Sequence, residues 1–100
     1  LRSFDYAAFA AIDRVRALGD VRPEVEAVAW HWRDVSRANF LAAYAETRGI
    51  ALDALAADNL LKLFVLQKAL YEIGYESANR PTWLATPVRG VLALLDGRLA

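Results

Sequence analysis

The sequence predicts an all-α domain, and three observations carry that prediction. Alanine and leucine dominate an apolar content of 57% in a chain of 100 residues, and both favour helix. Apolar residues recur at spacings of three and four over long stretches, which places them on one helix face. No segment shows the two-residue alternation of a half-buried strand.

Four helical segments follow from that rhythm. In the first, about Leu1 to Leu18, Phe4, Ala8, Ala11, Val15 and Leu18 form one stripe, and Gly19-Asp20 ends it. No capping residue precedes it. The second starts near Pro23, with Glu24 and Glu26 suiting the positive end of the helix dipole. Val25, Val28, Trp32 and Val35 form its expected buried stripe, and it continues through Phe40, Leu41 and Tyr44 to Gly49. In a helix this long, Ser36-Arg37 is the candidate point for a kink. A polar break spans Asp53 and Asp58. The third helix covers Asn59 to Asn79 and stops at Arg80, because a residue before proline is pushed out of the helical region. A loop from Pro81 to Pro87 carries Trp83, and a short last helix covers Val88 to Leu95, ending near Gly97. Amphipathic helices with short connections make a bundle-like arrangement. One domain, 1–100, accounts for the whole chain.

Composition excludes several functions. Twelve basic and twelve acidic residues cancel, so no basic footprint for nucleic acid exists. No apolar run reaches the roughly 18 residues that a membrane span requires. With no cysteine, disulfides and thiolate metal sites are excluded; this suits the cytosol, and a cytoplasmic location is the expectation. No signal peptide is visible at Leu1-Arg2-Ser3-Phe4. The absence of methionine and the high apolar fraction lead us to expect a piece of a longer protein, with surface that the remainder covers.

The informative stretch is the third helix. At about 100° per residue, Phe64, Lys68, Tyr71 and Tyr75 project within an arc of roughly 60°, while Leu63, Leu66, Leu70 and Ile73 take a different side. An aromatic face carrying a lysine suits a neutral sugar: phenol rings stack on a pyranose, and hydroxyl and ammonium groups bond its hydroxyls. Trp83 adds another stacking surface. The competing reading is plain packing of the tyrosines against another helix, with Lys68 at the surface, and composition alone favours it. Glu72 and Glu76 lie at i, i+4, and a solvated face is the favoured reading for them, as for Asp5, Asp13 and Arg16. His31, the only histidine, has only Asp34 at i+3 as a partner and reads as a surface or packed residue. Trp32 is assigned to the core and Trp30 to an interface with missing sequence. The five glycines form no phosphate-binding loop, and no catalytic loop, metal-binding motif or nucleophile elbow occurs. No residue of this chain is assigned a catalytic, cofactor-binding or metal-binding role.

Two segments resemble the maltokinase family. Leu1-Arg2-Ser3-Phe4-Asp5-Tyr6-Ala7-Ala8 is similar to the stretch that follows that family's metal-binding motif. Lys68-Ala69-Leu70-Tyr71-Glu72, Tyr75-Glu76, Asn79-Arg80-Pro81, Trp83 and Pro87-Val88-Arg89-Gly90-Val91 are similar to its C-terminal signature. The resemblance spans essentially the whole chain, although between Ala27 and Asp58 only the pattern of aromatic and alanine-rich helix matches. It implies the helical C-terminal part of a protein-kinase-like C-lobe. It further implies a parent enzyme that transfers the γ-phosphate of ATP, with Mg2+, to the anomeric hydroxyl of maltose or a related glucoside. The same module occurs fused to trehalose synthase, so the implied partners are the rest of the kinase chain and such a domain. Acceptor-sugar contacts carry over to Lys68, Tyr71 and Tyr75, and more weakly to Glu76 and Trp83. The chain departs from the family at Gly74, where an arginine is common, and at Thr82, where an acidic residue or serine is usual. The alternatives are a free-standing helical module binding a protein through Trp30, Trp83 and the tyrosine face, and a remodelled C-lobe without its N-terminal lobe.

Overall fold

The computed structural model describes residues 1–20 and 22–98. Among them are five α-helices, one 3₁₀ turn and no strand, so the chain is all-α as expected. None of these helices is long and apolar enough to cross a membrane.

Helix α1, Arg2–Ala17, buries Arg2, Asp5, Ala8 and Ile12. The expected stripe is therefore rotated: Ala8 is in it, Ala11 is exposed and Leu18 is 78% exposed. Two charged residues replace apolar ones in the buried line because they find partners across the fold. Helix α2, Pro23–Arg48, opens with proline in its first turn and runs unbroken through Ser36-Arg37. It ends on Gly49 at φ 67°, where the Ile50 N–H donates to the Ala45 carbonyl at 2.9 Å, a left-handed cap that glycine adopts without steric cost. Three of the four residues of its expected buried stripe point outward, with Val28, Trp32 and Val35 being 69%, 47% and 44% exposed, while Val25 is half-buried. The inward side carries Ala29, Trp30, Arg33, Arg37 and Ala45 instead. Trp32, expected in the core, is therefore exposed, and Trp30 is the more buried of the two tryptophans. Trp32 meets Phe4 edge-on at 6.1 Å on the surface, while Trp30 is half-buried beneath Arg33 and Arg89.

A short helix α3, Leu52–Ala56, occupies what the sequence reads as a polar break, and it buries Leu55. Five residues are too few to show a period. Helix α4, Asn59–Asn79, matches the predicted bounds; Asp58 caps it by accepting the Leu60 N–H at 2.7 Å. Its buried line is Val65, Ala69, Glu72 and Glu76. On the aliphatic side, Leu63 and Leu70 are more than half exposed, and Leu66 and Ile73 are half-buried. The predicted loop from Pro81 to Pro87 is ordered as a 3₁₀ turn, Pro81–Trp83, followed by α5, Ala85–Leu95.

The helices pack as two pairs, α1 on α2 and α4 on α5, with α3 against α2 and α1 reaching both α4 and α5. The arrangement is open. Its radius of gyration is 14.6 Å, against about 13 Å for a compact domain of this length. The apolar core is small, formed by Ala8, Ile12, Ala45, Leu55, Val65 and Ala69, and the joint between the pairs is largely polar. Gly90 belongs to that joint. A Cβ there would sit 2.5 Å from Arg2 Nη1 and 2.8 Å from its Cζ, and that guanidinium is held on three sides. Gly90→Ala is expected to destabilise the chain by about 1–3 kcal/mol through overpacking, read as a lower urea midpoint; an unchanged midpoint would show that Arg2 moves freely.

Candidate functional site

The joint is built on carboxylates that the sequence reading left in solvent. Asp5, Glu72 and Glu76 are 3%, 6% and 1% exposed. Asp13 and Arg16 are exposed as expected, Arg16 pairing with Glu26. Burying a carboxylate is costly unless it is paired and hydrogen-bonded, and each of the three is. Arg2 donates through Nη1 to Asp5 Oδ2 at 2.6 Å, through Nη2 to Glu72 Oε2 at 3.1 Å and through Nε to the same oxygen at 3.3 Å. Its Nη2 also reaches the Thr86 carbonyl at 3.4 Å. Asp5 Oδ1 lies 3.7 Å from Arg33 Nη1. This network joins α1, α2, α4 and α5 around one guanidinium.

One turn further along α4, Glu76 takes both nitrogens of a fork. Arg80 donates through Nε to Oε2 at 3.0 Å and through Nη2 to Oε1 at 2.7 Å, while the Tyr6 hydroxyl donates to Oε1 at 3.4 Å. Arg80 then lies 4.2 Å above the Trp83 ring and 5.7 Å from that of Tyr75. Trp83 is backed by Tyr6 and Phe9 at 6.2 and 5.3 Å.

These anchors form the floor of a cleft of about 390 Å³, lined by Arg2, Ser3, Tyr6, Lys68, Tyr71, Glu72, Tyr75, Glu76 and Arg80. On its wall the rings of Tyr71 and Tyr75 stack 6.5 Å apart with 19° between planes. They remain 64% and 45% exposed, and Lys68 Nζ lies 4.8 Å from the Tyr71 ring. Four of the five predicted site residues, Lys68, Tyr71, Tyr75 and Glu76, therefore share one cleft. Trp83 is outside its lining and supports Arg80 from behind. Glu76 faces the cleft but is nearly closed off by Arg80 and Tyr6, so its part is to hold the wall. Arg2, Ser3, Tyr6 and Arg80 are lining residues that the sequence did not mark as site residues. The pairs Glu76/Arg80 at i, i+4 and Arg2/Asp5 at i, i+3 left a signal in the sequence. Gly74 is exposed with nothing within 4 Å of an added Cβ, so a side chain at this position would meet open space.

The floor also sets an ionisation. Burial, then the nearby charges of Glu72 and Glu76 and the bond to Glu76, raise the Tyr6 phenol well above its ordinary value of 10. The folded chain keeps this proton where the unfolded chain loses it. The stabilisation is complete below pH 10 and is lost as pH rises from 10 towards the folded value. Stability is expected to fall above pH 10, and Tyr6→Phe to flatten that fall, in a pH series of urea midpoints; parallel curves would overturn this.

His31 is exposed, and among the described residues no group of three histidine or carboxylate side chains is placed to hold a metal ion. A second, apolar cleft lies beside the first and shares Arg2, Ser3 and Lys68 with it; Phe40, Tyr44, Ile50, Leu60 and Phe64 contribute to its walls. No family model matches the chain, and no solved structure gives a match.

Proposed function

We propose that this chain is the helical C-terminal part of a maltokinase-like sugar kinase and that it holds the acceptor sugar. The observation that carries this reading is the pair of parallel, solvent-facing rings of Tyr71 and Tyr75 beside Lys68 at one cleft. Exposed, stacked phenols with an ammonium at their edge offer apolar area to a pyranose face and polar groups to its hydroxyls. Arg2 and Arg80 are neutralised by their carboxylates, so Lys68 is the lining cation with no carboxylate within 4 Å among the described residues. A neutral disaccharide such as maltose fits that balance. The resemblance in Leu1–Ala8 and Lys68–Val91 supplies the reaction class, phosphorylation of the anomeric hydroxyl to maltose 1-phosphate in the cytosol. ATP and Mg2+, held by residues outside this chain, supply the phosphoryl group. The residues here contribute by binding and orienting the sugar.

A free-standing interaction module is the second reading, and the apolar cleft favours it. The anchors first assigned to it do not: Trp30 is covered by Arg33 and Arg89, and Trp83 by Arg80, Tyr6 and Phe9. Titration with maltose, followed by NMR on tyrosine and tryptophan rings, separates the readings. Shifts at Tyr71 and Tyr75 that disappear in Lys68→Ala/Tyr75→Ala are expected. Silence, both here and in the full-length protein with an ATP analogue, would sink the maltose assignment.

A further inference from the structure

The polar cleft between α2 and α5 is separate from the sugar-facing wall, and its chemistry differs. It encloses about 440 Å³ and is lined by Arg33 and Arg37 from α2, by Arg89 from α5 and by Arg98 just beyond its end, with Asp5, Asp34 and Asp96 among them. Four guanidiniums thus face three carboxylates, and those carboxylates are already engaged. Asp34 accepts from Arg33 at 2.9 and 2.7 Å, Asp96 from Arg98 at 3.4 Å, and Asp5 from Arg2 at 2.6 Å. Among the described residues no carboxylate lies within ion-pair distance of Arg89.

Arg89 lies 3.8 Å above the Trp30 ring, and Arg33 lies 5.0 Å from the same centroid. A ring quadrupole attracts a cation, and two guanidiniums share this indole: Arg33 is half-buried and already paired with Asp34, while Arg89 is exposed and has no such partner among the described residues. Arg37 lies deeper in the same cleft: burial is the main cause that lowers its pKa, with Asp5 and Asp34 opposing and Arg33 and Arg2 adding to the shift. An anion bridging the two walls supplies the counter-charge that Arg89 lacks among the described residues.

We propose that this cleft binds a phosphoryl group. A carboxylate presents two oxygens in one plane, which suits a single guanidinium fork. A phosphate directs its oxygens tetrahedrally and can accept from α2 and α5 at once. The proposal is independent of the sugar reading.

The test is an NMR titration of this chain with inorganic phosphate, against sodium chloride at matched ionic strength, following the Trp30 indole and arginine Nε–H signals. Saturable shifts at Trp30 and Arg89 are expected. Affinity should fall roughly tenfold in Arg89→Gln, as for loss of one charge-assisted bond, rise in Asp96→Asn, and stay unchanged in Arg48→Gln. A parallel arm with glycerol phosphate distinguishes a phosphomonoester from the free ion, the tighter of the two naming the source. Shifts that do not saturate, that chloride reproduces, or that Arg48→Gln weakens as much as Arg89→Gln would overturn the site. Acetate binding as tightly as phosphate would overturn the assignment to phosphoryl groups.

Discussion

Arg2→Ala is expected to cost about 3–5 kcal/mol, the usual cost of removing one partner from a buried ion pair. That is a large share of the roughly 5–15 kcal/mol that holds an ordinary domain folded, so the variant should show a much lower urea midpoint when followed by circular dichroism. The size follows from what is left behind. Asp5 and Glu72 lose their shared guanidinium while both stay more than nine-tenths buried. Asp5 retains Arg33 at 3.7 Å, but no other ion pair reaches Glu72 among the described residues. The Thr86 carbonyl loses a donor as well. Arg2 is also where α1 meets both α4 and α5, so the loss falls on the joint between the helix pairs. Arg2→Met/Glu72→Met tests the cause. It removes the orphaned charge along with its partner and should recover at least half of the loss, because a buried pair replaced by apolar side chains of similar volume is often neutral or better. A loss below about 1 kcal/mol in Arg2→Ala, or no recovery in the double variant, would show that water reaches these carboxylates and that the joint rests on apolar contacts.

The same joint explains what was legible in the sequence. Helix existence was readable because period and terminators agree: Pro23, Gly49, Asp58 and the Arg80-Pro81 step fall where the structure starts or stops a helix. Helix orientation was not. A periodic stripe says that one face is buried but assumes that the buried face is the apolar one. In α1 and α4 the buried lines run through Arg2, Asp5, Glu72 and Glu76, and charged residues at helical spacing look the same whether they face water or one another. Pairs such as Arg2–Glu72, 70 positions apart, have no local trace. The same assumption put Val28, Trp32 and Val35 inside. The tyrosine face was legible for the opposite reason. Tyr71 and Tyr75 belong to one helix at i, i+4, so their mutual geometry is fixed by the helix alone, and only the floor beneath them depends on the rest of the fold.

That floor makes Glu76 the second position at which a large effect is expected. Glu76→Ala should cost about 2–3 kcal/mol, from the void left by a side chain only 1% exposed and from the unsatisfied Tyr6 hydroxyl. Arg80 adds little to that figure, since its guanidinium is partly exposed and can turn to water. Its turning is what matters for the site. Arg80 lies against both Tyr75 and Trp83 only while Glu76 holds its two nitrogens. Once released, it no longer fixes the C-terminal end of the tyrosine wall, although no ring of that wall has changed. Under conditions where Glu76→Ala remains folded, the maltose-induced shifts that the proposed function predicts for Tyr75 should weaken at least as much as those for Tyr71, which sits one turn away beside Lys68. Glu76→Gln, which keeps the volume and one acceptor for the Arg80 fork, should fall between the variant and the parent in both stability and sugar response. If Glu76→Ala loses stability while the sugar response of both rings is intact, the anchor is structural only and the wall stands without it.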